Sequence, residues 1–160
     1  MRPRLARQLD LGQTSIEEVP IPLKSREELP PVWRGLQWIF QPPAINEQVF
    51  QLLEQKVIGT KKATGRPGMD LWHVLVLVVV RLALDCDYDR LEYLVHHDTL
   101  LRRIMGVESR FSGEFGQGFH HKTLSENVCH VDEALLAELN AIVVKAGRAV
   151  LKKKTTNPFV

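Results

Sequence analysis

The sequence has little of what marks a secreted or membrane-spanning protein. Its 160 residues include only two cysteines, Cys86 and Cys129, which lie far apart and indicate no disulfide framework. The basic start of the chain is followed by polar residues rather than by an apolar core, so we expect no signal peptide. The cytoplasm is therefore the expected location.

Long apolar runs and an excess of one charge are also missing. The longest run, residues 71–84, contains His73 and Arg81 and is shorter than the roughly 18 residues that cross a bilayer. We interpret it as a buried helix, with a buried strand as the alternative, and expect no membrane partner. Because the net charge is only +2, an anionic partner would have to be bound by local basic patches.

Signatures of catalysis and of metal binding are absent as well. No phosphate-binding glycine loop, nucleophile elbow or His-Glu-x-x-His pattern occurs. The acidic segment 85–89 lacks the glycine and glutamate of a calcium loop, and the histidines at 96–97 and 120–121 form adjacent pairs rather than the spacing of zinc ligands. We therefore predict no catalytic residue, no metal site and no cofactor in this chain.

The patterns that are present are helical. Apolar residues recur at helical spacing between capping residues, which predicts an all-α fold, an irregular bundle of about six helices. We expect an extended N-terminal arm at residues 1–30, a helical domain at 31–154 and a tail at 155–160. The Gly- and Phe-rich segment 107–119 predicts a mobile loop.

Capping signals predict where the helices begin and end. The residues expected to cap helix N termini are Asp70, Asp89, Asp98, Thr123 and Asp132. Gly106 should end a short helix. The segment 71–105 is thus predicted to form a unit similar to a helix-turn-helix, and residues 133–150 a longer helix with one apolar stripe.

Basic residues occur in the Gly- and Pro-rich loop 59–68, near residue 102 and at the end of the last helix. Basic side chains beside helix termini can bind the phosphates of DNA. The predicted phosphate contacts are Lys61, Lys62, Arg66, Arg102, Arg103 and Lys122. A solvated surface charge is the alternative for each of them. Trp33, Trp38 and Trp72 could stack on bases, but their apolar neighbours favour the core.

Two strings in this sequence carry a family resemblance. They are Gly65-Arg66-Pro67-Gly68-Met69-Asp70-Leu71-Trp72-His73 and Leu100-Leu101-Arg102-Arg103-Ile104-Met105-Gly106. Together with the segments 87–92 and 120–125, their order resembles the N-terminal domain of bacterial insertion-sequence transposases. The resemblance spans roughly residues 1–154.

The resemblance implies a helical domain that recognises the terminal inverted repeats of double-stranded DNA during transposition. It also implies a following RNase H-like domain, whose Asp, Asp and Glu residues bind a divalent metal, expected to be Mg²⁺. Because the sequence reaches only the tail 155–160 where that domain would begin, we expect a truncated chain that is inactive alone.

Two alternatives to DNA binding stay open. The chain could be an oligomerisation or regulatory module, which pairs with itself or with full-length transposase through the helix at 133–150 and inhibits it. It could also be a non-functional remnant that folds poorly because a missing domain covered its apolar surface.

Overall fold

The computed structural model describes residues 2–5, 13–22, 24–58, 68–107 and 119–156, with side chains up to residue 148. The helices are α1 (Leu29–Phe40), α2 (Pro43–Leu53), α3 (Leu71–Leu84), α4 (Tyr88–His97), α5 (Thr99–Met105), α6 (His121–Val128) and α7 (Glu133–Thr156). A π-helical turn, Glu54–Ile58, extends α2. No strand occurs among these residues, so the predicted all-α bundle is confirmed.

The apolar run at 71–84 forms α3, the central helix, and the strand alternative is wrong. Eight of its 14 residues are buried, and α1, α2, α4, α5 and α6 all pack against it. A helix surrounded on several sides needs apolar residues around most of its circumference, which explains the continuous run. Within the described part of the chain, no helix is both long and apolar enough to span a membrane.

Three of the predicted N-caps are confirmed. Asp70, Asp98 and Asp132 each accept a hydrogen bond from a backbone N–H two or three residues further on, at 2.7–2.8 Å. Each carboxylate thereby satisfies a donor that the first turn of a helix leaves unpaired. Gly106 ends α5 with a φ of +70°, and a Cβ at this position would lie 3.3 Å from the side chain of Leu5.

The predicted start of α4 is wrong by two residues. Its N-cap is Asp87, whose Oδ1 accepts a hydrogen bond from the backbone N–H of Arg90 at 2.8 Å, whereas Asp89 lies in the first turn. The left-handed conformation of Asp85, with a φ of +45°, reverses the chain directly after α3. The next helix therefore begins sooner than the sequence pattern indicates.

The predicted start of α6 at Thr123 is also wrong. This helix begins at His121, and its N-cap His120 makes no capping hydrogen bond through its side chain. Instead, the backbone N–H of His121 donates to Oε2 of Glu92 in α4 at 2.8 Å. A carboxylate from a neighbouring helix thus replaces the local cap, and α6 begins three residues earlier than predicted.

Two parts of the expected arm lie against the bundle, and the first is residues 2–5. The backbone N–H of Leu71 donates to the carbonyl of Pro3 at 3.1 Å. Arg2 donates to the carbonyl of Met69 at 3.3 Å and to Oδ1 of Asn127. Residues 2–5 therefore connect the beginning of α3 with α6.

A second part of the arm packs on α1. A 3₁₀ turn, Ile16–Glu18, places Ile16 and Val19 in the core, where both are buried. The side-chain amide of Gln37 donates to the carbonyls of these two residues at 2.9 and 2.8 Å. This buried amide therefore holds the turn on α1 and satisfies two carbonyls that burial would otherwise leave without donors.

Helix α7 packs along α2. Leu135 and Leu139 are buried in this contact, and Lys56 Nζ lies 3.0 Å from a carboxylate oxygen of Glu138. Further along the helix, Val144 is exposed. The first half of the predicted apolar stripe is thus covered by the chain's own core.

Candidate functional site

The two strings that carry the resemblance meet in the structure. Nε1 of Trp72 donates to the carbonyl of Ile104 at 2.8 Å, and Nε2 of His73 donates to the carbonyl of Met105 at 2.9 Å. These bonds join the first turn of α3 to the last turn of α5. Because Trp72 and Ile104 are both fully buried, the contact belongs to the core.

His73 serves as a neutral member of this contact. Burial lowers its pKa, although the nearby charge of Asp70 acts in the opposite direction. Burial likewise raises the pKa of the Asp70 carboxyl. A neutral ring that donates through Nε2 to a carbonyl holds α5 in place and supplies no charge to a ligand.

Two of the three tryptophans, Trp33 and Trp72, pack in the core as their apolar neighbours predict. Trp33 is 1% exposed, and Trp72 packs on Phe40 with ring centroids 4.9 Å apart. Trp38 is half-buried beside Glu17 and does not belong to the fully enclosed core. Trp33 and Trp72 are therefore closed to bases in this structure.

Of the six predicted phosphate contacts, Lys61, Lys62 and Arg66 lie outside the described residues and stay predictions. The segment that carries them connects the π-helical turn after α2, in which Val57 is buried, with Gly68 beside the side chain of Arg2. Its ends are thus joined to residues fixed in the bundle.

The neighbouring arginines of α5 have different surroundings. Arg102 is only 8% exposed, so it offers a phosphate almost no surface unless its side chain moves outward. Arg103 is half-buried in the last turn of α5, where the negative end of the helix dipole stabilises a positive charge. Of the two, Arg103 is the one that a phosphate can approach directly.

Lys122 lies in the first turn of α6 with 86% of its side chain exposed. Its ammonium is 3.9 Å from Glu126, one helical turn further on, which is a weak surface pair. The lysine is therefore accessible to a phosphate.

An exposed row on α4 was missed by the sequence reasoning. The guanidinium of Arg90 lies 5.3 Å from the ring centroid of Tyr93, and this ring lies 4.4 Å from that of His97. Tyr93 is 54% exposed. Arg90 and Tyr93 are three residues apart, and Tyr93 and His97 are four. This spacing was the available signal, because it places the three side chains on one helix face with a cation beside an aromatic ring.

A separate group at the contact of α4 with α6 could hold a metal ion. Glu92, His96 and His120 each offer one ligand atom, and these atoms lie within 4.8 Å of one another. The prediction of no metal site weighed only the spacing of ligands along the sequence, did not consider this group and stays a prediction. The available signal was Glu92 one helical turn before His96, since residues four apart share a helix face.

Comparisons of this chain with protein-family models, with curated proteins and with solved structures find no match. The resemblance to insertion-sequence transposases therefore rests on the residues of this sequence alone.

Proposed function

We propose that this chain is the DNA-binding N-terminal region of a bacterial insertion-sequence transposase and recognises the terminal inverted repeats of its element. The observation that carries the proposal is the contact between the two family-like strings, in which Trp72 binds Ile104 and His73 binds Met105. Residues 32 positions apart thus form one folded unit, which is expected if the strings belong to one functional domain.

Accessible cations supply the electrostatic part of the proposal. Arg103 and Lys122 stand on helices of this unit, and Arg90 lies on the exposed side of α4. Each cation that neutralises a phosphate releases a counterion, so binding should weaken as the salt concentration rises. Phosphate contacts position the protein, whereas base contacts give the sequence preference.

The test begins with a selection of randomised DNA duplexes by the purified chain. Fluorescence anisotropy then compares the selected duplex with a scrambled duplex over a series of salt concentrations. We expect tighter binding to the selected sequence. The variants R103Q and K122Q should each reduce the slope of log K against log salt by about 0.9.

R26Q provides the matched control. Arg26 is exposed but lies outside both strings and outside α4 and α6, so its replacement should leave the slope unchanged. Equal binding to selected and scrambled duplexes would contradict recognition of a terminal repeat. Unchanged slopes in R103Q and K122Q would contradict the assignment of those two cations.

The regulatory alternative predicts a different result. Tight self-association together with weak, sequence-independent DNA binding would support pairing through α7. The structure favours the DNA proposal on one point, because Leu135 and Leu139 of that helix are covered within the chain. Size-exclusion chromatography with light scattering measures the association directly.

A further inference from the structure

We propose that Glu92, His96 and His120 bind one zinc ion, which links α4 to α6. Glu92 and His96 are one helical turn apart, so their side chains emerge from the same face of α4. His120 is the N-cap of α6, which packs against that helix. Two helices that are distant in sequence thereby contribute to one site.

One of the distances between ligand atoms already matches the distance that zinc requires. A tetrahedral ion with bonds of about 2.1 Å keeps neighbouring ligand atoms about 3.4 Å apart. Oε1 of Glu92 already lies 3.5 Å from Nδ1 of His120, and all three ligand atoms lie within 4.8 Å. Since 70% of the His120 side chain is exposed, it can rotate to complete the site.

His96 provides a second, independent indication. Its Nε2 atom is buried and has no hydrogen-bond partner among the described residues. A buried polar atom without a partner is costly, and an imidazole nitrogen with a free lone pair can bind a metal ion directly. A zinc ion bound to this nitrogen would therefore supply the partner that the atom lacks.

Glu92 is oriented for the same role by a hydrogen bond outside the group. Its Oε2 accepts a hydrogen bond from the backbone N–H of His121 at 2.8 Å, and its other oxygen, Oε1, lies on the side of His120. Such hydrogen bonds fix the direction of a metal-binding carboxylate. The carboxylate can therefore offer one defined oxygen to the ion.

Two imidazoles and one carboxylate favour zinc over Mg²⁺ or Ca²⁺, which prefer oxygen ligands alone. Because His120 lies at the surface, water can occupy the fourth position. The inferred role of the ion is to cross-link α4 and α6. This inference does not depend on DNA binding.

The test uses the complete, untagged chain after treatment with a chelator. Isothermal titration calorimetry with zinc should show one ion per chain. Thermal unfolding followed by circular dichroism should show a Tm raised by zinc and unchanged by Mg²⁺. Replacing zinc by Co²⁺ should give the absorption bands of a tetrahedral site.

Two variants remove ligands while sparing the core. H120A changes an exposed side chain, and E92Q keeps an acceptor for the His121 N–H. Each should lower the zinc affinity by at least about tenfold and abolish the rise in Tm. The matched control is H97A, which removes an exposed histidine of α4 outside the group and should bind zinc like the wild type.

Absence of stoichiometric zinc binding by the wild-type chain would overturn the proposal. An equal loss of affinity in H97A and H120A would overturn it too, because zinc would then be bound by surface histidines in general. If H120A fails to fold in the absence of metal, the comparison of E92Q with H97A decides the outcome.

Discussion

Replacing Trp72 by phenylalanine tests the hydrogen bond that joins α3 to α5. The indole N–H donates to the carbonyl of Ile104 at 2.8 Å, and both residues are completely buried. W72F keeps an aromatic ring next to Phe40 but removes the donor. The carbonyl is then left inside the protein without the hydrogen bond that the indole supplies.

The expected cost has two parts. Loss of a partner for a buried polar group costs about 1–3 kcal/mol. The smaller ring leaves space in the core, which costs about 1–2 kcal/mol more. W33F makes the same change of volume at a residue that is 1% exposed, and the described part of the chain shows no hydrogen bond from that indole. We therefore expect W33F to lose only the packing contribution.

Urea unfolding followed by circular dichroism gives the free energy of unfolding for wild type, W72F and W33F. The comparison holds if the dependence on urea concentration is the same in all three proteins, since a changed slope would indicate a changed denatured state. W72F should be less stable than W33F by about 1–3 kcal/mol. Equal stability of the two variants would refute the inference that this hydrogen bond stabilises the contact between the two strings.

Two further predictions concern a pair of glycines and one histidine. G35A should stabilise the protein by about 0.5–1 kcal/mol, because Gly35 is inside α1 and no atom lies within 4 Å of a new Cβ. G106A should destabilise the protein by about 1 kcal/mol or more, because Gly106 has a φ of +70°. Urea unfolding measures both, and changes of the same sign would contradict the argument. Because burial lowers the pKa of His73, the unfolded chain binds a proton that the folded chain does not as the pH falls below about 6.5. As the pH falls from about 7 to 5, the free energy of unfolding should therefore decrease more steeply for the wild type than for H73Q, by up to about 1.4 kcal/mol per pH unit. Parallel curves of unfolding free energy against pH for the two proteins would contradict this.

Helix ends were predictable where the capping partner lies within one turn of the chain. Asp70, Asp98 and Asp132 bind backbone groups that follow them directly, so their pattern is visible in the sequence. The start of α6 was not predictable, because Glu92 caps it from another helix. Only the packing of α4 against α6 brings that carboxylate to His121.

Site residues were harder to predict for a related reason. The sequence identifies Arg102 and Arg103 as basic but does not distinguish them, because α5 has only seven residues and too few turns to define its buried face. The group of Glu92, His96 and His120 depends on a contact between helices. Spacing rules that search for neighbouring ligands do not include such a third member.

Docking of the first residues on α3 and α6 determines the order in which the chain can fold during its synthesis. Arg2 is synthesised before its partners Met69 and Asn127, which follow 67 and 125 positions later. Contacts between such distant residues require the closure of large loops and slow the folding of a domain. Residues 2–5 must therefore wait for α3 and then for α6 before they can dock, and this docking belongs to the last steps in the folding of the bundle.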